Sequence, residues 1–303
     1  MTESVKPRVG EMERTLELSG LEAGARLSIK SLLQSLVGGL IVSCQAPDND
    51  PFRDAVSMAR FAQAAERGGA AGIRANSAGD VEAVTRAVRM PVIGIQKRMQ
   101  ADGKVLITPS FEDALDLVNA GAQIVAVECT ARGQRFGALE LVRRIRTELK
   151  APVMADIATV EEAIAAEQAG AELIASTMRG YTEETAEIRV FQPGFIAALA
   201  MRLKVPVLAE GRVDTPQQAA EALRAGAHAV IVGTAITRPE VITARFATAL
   251  RQEKKGLTEA AVVGIDLGGT NTKAAILTAG GILQSQSVVA TPAKGRVTLL
   301  RHL

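Results

Sequence analysis

Between residues 39 and 238 a short apolar run, a polar tip and an amphipathic stretch follow one another eight times. The runs are GLIVSCQ (39–45), AAGIRAN (70–76), PVIGIQK (91–97), QIVAVEC (123–129), PVMADIA (152–158), AELIAST (171–177), PVLAEGR (206–212) and HAVIVGT (228–234). Continuous apolar runs bounded by turn signals predict strands buried on both faces of a parallel sheet, with helices as the connections. Eight such units in roughly 200–250 residues have the size and period of a (β/α)8 barrel, an α/β fold of TIM-barrel type. The barrel is expected over residues 28–252. Its first ten residues, SIKSLLQSLV, form a short apolar-periodic helix ending at Gly38-Gly39 and placed to plug the N-terminal bottom.

Outside this region the pattern changes. Residues 1–27 are charged, Gly-punctuated and weakly periodic, and read as a mobile leader. Residues 253–259 read as a charged linker with a Gly break. From 260 to 303 the chain reads as two or three strands joined by Gly turns without a crossover helix, which has no place in a closed eight-unit barrel.

Composition narrows the function classes. The net charge of +2 is dispersed and aromatic residues make up 3% of the 303-residue chain, so no nucleic-acid footprint is expected. No run reaches the length of a membrane span and no signal-peptide pattern opens the chain, which predicts a cytoplasmic protein. Cys44 and Cys129 lack a metal-like spacing and read as buried free thiols. The chain is compatible with a homo-oligomer.

The chemistry is expected at the C-terminal ends of the strands. Those ends carry Gln45, Arg74, Lys97, Glu128, Asp156, Glu210 and Arg212. Lys97 follows Ile93 and Ile95 at period two, which aims it into the mouth and turns Arg98 away. Glu210 stands likewise over Leu208. A Lys and a Glu facing each other there can serve as an acid–base pair or form a structural ion pair at the rim. Gly211-Arg212 and Gly233-Thr234, after the last two strands, stand where many barrels hold a phosphate. Arg238, in the TRPE segment that opens the last helix, either adds to that grip or lies in solvent.

The motifs GGLIVSCQ (38–45), IGIQKR (93–98), TMRGYT (177–182), LAEGR (208–212), TPQQAA (215–220) and VGTAITRP (232–239) together resemble the bacterial N-acetylmannosamine-6-phosphate 2-epimerases over about residues 30–250. The resemblance implies a (β/α)8 barrel that interconverts N-acetylmannosamine 6-phosphate and N-acetylglucosamine 6-phosphate in sialic acid catabolism, without metal or nucleotide. It places the catalytic pair on Lys97 and Glu210, substrate positioning on Gln45, Arg74 and Asp156, and phosphate binding on Gly211, Arg212, Gly233 and Thr234. That family often ends its fourth strand in Asp-x-Thr-x-Arg. Here Glu128-Cys129-Thr130-Ala131-Arg132 stands instead, so Glu128, one methylene longer, and Arg132 are candidate substrate contacts with a shifted geometry.

Residues 264–273, GIDLGGTNTK, resemble the first phosphate-binding hairpin of ROK-family sugar kinases within the actin-like ATPase fold. The resemblance makes Asp266, Gly268, Gly269 and Thr270 a nucleotide-binding remnant in a truncated kinase start. Three alternatives to a free-standing epimerase follow. They are a fragment of a bifunctional epimerase–kinase, a barrel aldolase or lyase using Lys97 as a Schiff-base nucleophile, and a phosphosugar-binding module without turnover.

Overall fold

A computed structural model describes residues 28–259, 261–278 and 280–291. The leader lies outside the described residues. The chain divides into two compact units at Thr237/Arg238.

All eight apolar runs become strands of one closed parallel barrel. They are β1 (Leu40–Cys44), β2 (Gly72–Asn76), β3 (Val92–Ile95), β6 (Ile124–Glu128), β7 (Val153–Asp156), β8 (Leu173–Ala175), β9 (Val207–Glu210) and β10 (Ala229–Val232), with β10 pairing back onto β1. Period two sorts their side chains into two cores. Ile41, Ile93, Ile95, Ile124, Ala126, Met154, Leu173, Leu208, Ala229 and Ile231 fill the barrel interior. The alternate residues, such as Val42, Ile73, Val125, Val153, Ile174, Val207 and Val230, pack outward with Met58, Val84, Leu117 and Leu199 of the helices. Both faces being buried is why the strands read as unbroken apolar runs.

The bottom is closed by α1 (Ile29–Ser35), whose Leu32 joins the interior cluster with Leu36 behind it. His228, just before β10, lies with Nε2 2.8 Å from the Leu33 carbonyl oxygen and ties this helix to the barrel. At the opposite end many polar tips start the next helix: Asp54, Ser77, Ser110, Thr130, Thr159 and Thr215 each accept a backbone N–H of the first turn.

One departure from the expected strand grammar matters for the site. The third barrel strand ends at Ile95, and Lys97 belongs to a separate hairpin of β4 (Lys97–Met99) and β5 (Val105–Ile107). The Ile95 carbonyl accepts the Ser77 N–H, and the Gln96 backbone then bonds Thr108 on both sides. The chain therefore leaves the barrel wall at Gln96. Ile107 is buried in the barrel-interior cluster, so the hairpin stands over the mouth.

The second unit, by itself, consists of a helix (Pro239–Glu259) and an antiparallel sheet of β11 (Ala261–Leu267), β12 (Asn271–Thr278) and β13 (Leu283–Ala290). The linker expected at 253–259 is instead the end of that helix. Its Glu and Lys residues favour helix enough to carry it past Gly256. Consecutive Val262 and Val263 point to opposite faces and both are exposed, so this sheet has little apolar cover on either side. Gly268 sits in the β11–β12 turn, where a Cβ would come within 2.7 Å of the Asn271 carbonyl oxygen. Among the described residues no helix is long and apolar enough to cross a membrane.

Candidate active site

On four barrel strands period two leads from the apolar interior residues to a polar one. Above Ile41 come Ser43 and Gln45, above Ala126 comes Glu128, above Met154 comes Asp156, and above Leu208 comes Glu210. On β2, where Ile73 and Ala75 face the helices, Arg74 faces inward. Residues as far apart in the chain as Arg74 and Glu210 are thereby brought into direct contact.

Arg74 is 1% exposed and ion-pairs through Nη2 with Asp156 and through Nη1 with Glu210. Asp156 is fully buried, whereas the Glu210 side chain keeps 13% of its exposure. Burial pushes the Asp156 carboxyl up to about 7; Arg74 opposes the rise and Glu210 adds to it. Burial alone would lower Arg74, but the two carboxylates hold it above its ordinary value.

A residue that sequence reasoning did not single out completes the cluster. Thr177, just past β8, has Oγ1 2.5 Å from Asp156 Oδ1 and 2.9 Å from Glu210 Oε2, and it accepts from Arg74 Nη1 at 3.2 Å. Its signal was present, since Leu173, Ala175 and Thr177 alternate and Thr177 opens the TMRGYT motif. Next to it Ser176 Oγ lies 2.8 Å from the Glu210 carbonyl oxygen and 3.0 Å from the Glu210 nitrogen, fixing the backbone that carries the carboxylate.

The hairpin borders the mouth beside β2, since it follows β3, the strand that pairs with β2. Lys97 is exposed and pairs across the hairpin with Ile107. Directly opposed residues share one face of a ladder, so Lys97 stands on the same face as buried Ile107. Arg98 leans the other way, with Nη2 2.7 Å from Asp113 on the following helix (Phe111–Asn119). Lys97 thus stands on a hairpin rather than in the barrel wall, and its backbone N–H donates to Asn76 Oδ1 at 3.0 Å.

Glu128 is buried, accepting from Thr130 Oγ1 at 2.8 Å and from the Ile107 N–H at 3.3 Å. Burial raises its carboxyl above the ordinary range, against both hydrogen bonds. Arg132 is turned toward the hairpin tip. Its Nη2 lies 3.0 Å from both carboxylate oxygens of Asp102, and its Nη1 donates to the Val105 carbonyl at 3.1 Å. Between the hairpin and the segment after β8 lies a cavity of about 480 Å³, lined among others by Glu128, Thr130, Arg132 and Met178.

Gln45 donates to Ser43 Oγ at 2.6 Å. Gly211 and Arg212 both adopt left-handed backbone, at φ 92° and 59°. That conformation is strained for an arginine, and such strain concentrates at functional loops. The Arg212 guanidinium donates to the Gly180 carbonyl at 3.1 Å and stacks over Tyr181. Gly233 packs so closely on Ser43 that a Cβ would approach the Ser43 Cβ to 3.2 Å, and Thr234 begins the short helix Thr234–Thr237. Arg238 is the first residue of the second unit. Among the described residues of the barrel unit three polar atoms are buried without a hydrogen-bond partner in the protein: Arg74 Nε, Gln45 Oε1 and Arg212 Nε. All three belong to residues singled out from the sequence, and orphaned buried polar atoms suit a bound polar molecule. Cys44 and Cys129 are buried, with burial pushing the Cys44 thiol up to about 12 and Cys129 higher than its ordinary value.

Comparison with known proteins fits this geometry. The N-acetylmannosamine-6-phosphate epimerase family, NanE, matches residues 58–252. A protein of Caldanaerobacter subterraneus subsp. tengcongensis named as an N-acetylmannosamine-6-phosphate 2-epimerase is 44% identical over 227 residues, 74% of this chain and 95% of its own length. The solved N-acetylmannosamine-6-phosphate 2-epimerase of Clostridium perfringens superposes with a TM-score of 0.69 at 34% identity, over 74% of this chain and 98% of that one. The bifunctional enzyme NanE/NanK of Brucella melitensis is 44% identical over 266 residues, 88% of this chain, and the match spans only 50% of that enzyme. The chain belongs to the N-acetylmannosamine-6-phosphate epimerase family.

Proposed function

We propose that this chain inverts C2 of N-acetylmannosamine 6-phosphate, interconverting it with N-acetylglucosamine 6-phosphate by removal and return of one proton. The observation that carries the reading is the buried Arg74–Asp156–Glu210 cluster at the C-terminal mouth of the barrel, with Lys97 on the hairpin that follows β3.

A C2 proton becomes removable when the sugar is open and C1 is an aldehyde, because the electrons left on C2 then delocalise onto O1. Two tasks follow, moving the proton and stabilising the enolate oxygen. Lys97 and Glu210 form the proton-transfer pair. The Glu210 contacts to Arg74 and Thr177 all fall on Oε2, which leaves Oε1 for the substrate. Arg74 supplies the electrostatic part, and its unpartnered Nε–H is a donor for a developing oxyanion or the acetamido oxygen. Gln45 Oε1 is the matching acceptor for an N–H or hydroxyl of the substrate. Glu128 lies beside the hairpin root, where it helps shape the pocket around the sugar. Gly211 and Arg212, with the Arg212 Nε–H, and Gly233 and Thr234 hold the phosphate, and this remote grip fixes the reacting end. The test is turnover of N-acetylmannosamine 6-phosphate in deuterated water by the intact protein and by Lys97→Met and Glu210→Gln.

The second unit reads as the opening of a ROK-type sugar kinase, with Asp266, Gly268, Gly269 and Thr270 as its phosphate turn. Two observations support this: the strand–Gly-Gly turn–strand form of β11 and β12, and a match to the Brucella enzyme longer than the barrel. A kinase origin predicts that Asp266→Asn leaves epimerase turnover unchanged. A large loss would tie this segment to the barrel's own chemistry.

A further inference from the structure

Arg74 faces two carboxylates, so the buried cluster carries one negative charge in excess when both are ionised. Thr177 is the group placed between them. Its Oγ1 is within hydrogen-bond distance of Asp156 Oδ1 and Glu210 Oε2 at once, yet a hydroxyl has one proton to donate. Arg74 Nη1 donates into the same oxygen, occupying one of its lone pairs. If both carboxylates were ionised, one of them would face the lone pairs of Oγ1 without a hydrogen between them. The arrangement is satisfied when Asp156 carries a proton, donates it to Thr177 Oγ1, and Thr177 donates its own to Glu210.

We propose that Thr177 is a positioning residue whose hydroxyl lets Asp156 and Glu210 hold one proton in common beside Arg74, keeping Glu210 the charged partner of the guanidinium. The proposal rests on the assignment of Arg74 and Glu210 to the reacting end of the site. If the shared proton moves, an O–H bond of Asp156 breaks as one forms at Thr177, and the original Thr177 O–H breaks as one forms at Glu210. No other reactant is consumed. The charged and titratable groups facing Asp156 are Arg74 from β2, Glu128 and Cys129 from the end of β6, and Glu210 from β9. Burial, acting first, raises Asp156 to about 7, in keeping with a carboxyl that retains a proton near neutrality.

The experiment compares Thr177→Val, close in shape but without a hydroxyl, with Thr177→Ser, which keeps it. Each folded variant is assayed for kcat and KM on N-acetylmannosamine 6-phosphate across the neutral pH range. The expected result is a loss of about tenfold or more in kcat for the Val variant with KM little changed. Its neutral pH limb should be displaced, and the Ser variant should recover most of the rate and the wild-type limb. Wild-type kcat and pH profile in Thr177→Val would overturn the proposal. So would equal impairment of Val and Ser with an unmoved profile, because that pattern reports lost packing. Glu210→Gln, run alongside, separates the two levels: an active Glu210→Gln overturns the site assignment itself, whereas an inactive one beside a wild-type-like Thr177→Val overturns only the role of Thr177.

Discussion

The two walls of the barrel mouth are made in different ways. One wall is Arg74, Asp156, Thr177 and Glu210, standing on or just past strands β2, β7, β8 and β9 and joined by buried ion pairs and one shared hydroxyl. The other is the β4–β5 hairpin, which carries exposed Lys97 and is held by more accessible pairs, Arg132 with Asp102 and Lys104 with Glu183. The barrel wall is fixed by the fold: its strands are hydrogen-bonded on both sides and its charges compensate one another away from water. Removing one partner there leaves a buried charge uncompensated. The hairpin is anchored at its root by buried Ile107, but these ion pairs toward its tip are screened by water and contribute little. A mouth built this way sets rigid buried charges beside a more adjustable hairpin that carries Lys97, the proposed proton-transfer partner of Glu210.

The comparison breaks most visibly at the proposed proton-transfer pair. Lys97→Met and Glu210→Gln should each lower turnover by roughly 100- to 10,000-fold, the range for loss of a general acid or base. Their stabilities should differ, however. Melting should show Lys97→Met closer to wild type than Glu210→Gln, because Lys97 is exposed whereas Glu210 is ion-paired with buried Arg74. Equal stability of the two would erase the distinction between the walls.

Next in size is the phosphate. Unphosphorylated N-acetylmannosamine should be a far poorer substrate, since the loops at Gly211-Arg212 and Gly233-Thr234 would lose their anion and the remote binding energy with it. Comparable kcat/KM for the two sugars would remove those loops from the account.

A smaller effect is expected from pH on stability. The folded-state value of Asp156, about 7, lies above its ordinary 3.8, so the folded protein binds this proton more tightly than the unfolded chain. Its stabilising contribution is therefore full below the ordinary value and is lost as pH rises through about 7. Asp156→Asn should flatten that part of the pH–stability curve in urea unfolding. A variant with the same slope as wild type would mean that Asp156 is ionised throughout. On the hairpin side Asp102→Asn should reduce turnover only a few-fold, the scale of a surface ion pair, and leave the melting temperature nearly unchanged. Smallest of all, removal of residues 260–303 should leave epimerase turnover intact.

Much of the barrel wall was legible in the sequence because period two decides it. Once Ile41, Ala126, Met154 and Leu208 were interior, Gln45, Glu128, Asp156 and Glu210 had to follow on the same side. The hairpin was not legible by that rule. Ile93, Ile95 and Lys97 continue the alternation without a break, and the strand ends because Thr108, twelve residues past Gln96, captures the Gln96 backbone. The same kind of distant partner redirects Arg132, whose target Asp102 lies 30 residues earlier in the chain. Thr177 was passed over for a different reason: an uncharged hydroxyl gains its importance only from the carboxylates folded onto it. The helix through 253–259 was read as a linker because its charges and Gly256 outweighed the helix-favouring character of its Glu and Lys residues.

The most direct test of the central claim follows N-acetylmannosamine 6-phosphate by NMR in deuterated water with the protein. The account predicts that N-acetylglucosamine 6-phosphate appears with deuterium at C2, and that the signal is lost with Lys97→Met. An epimer that keeps its original C2 hydrogen throughout, or turnover unaffected by that substitution, would contradict it.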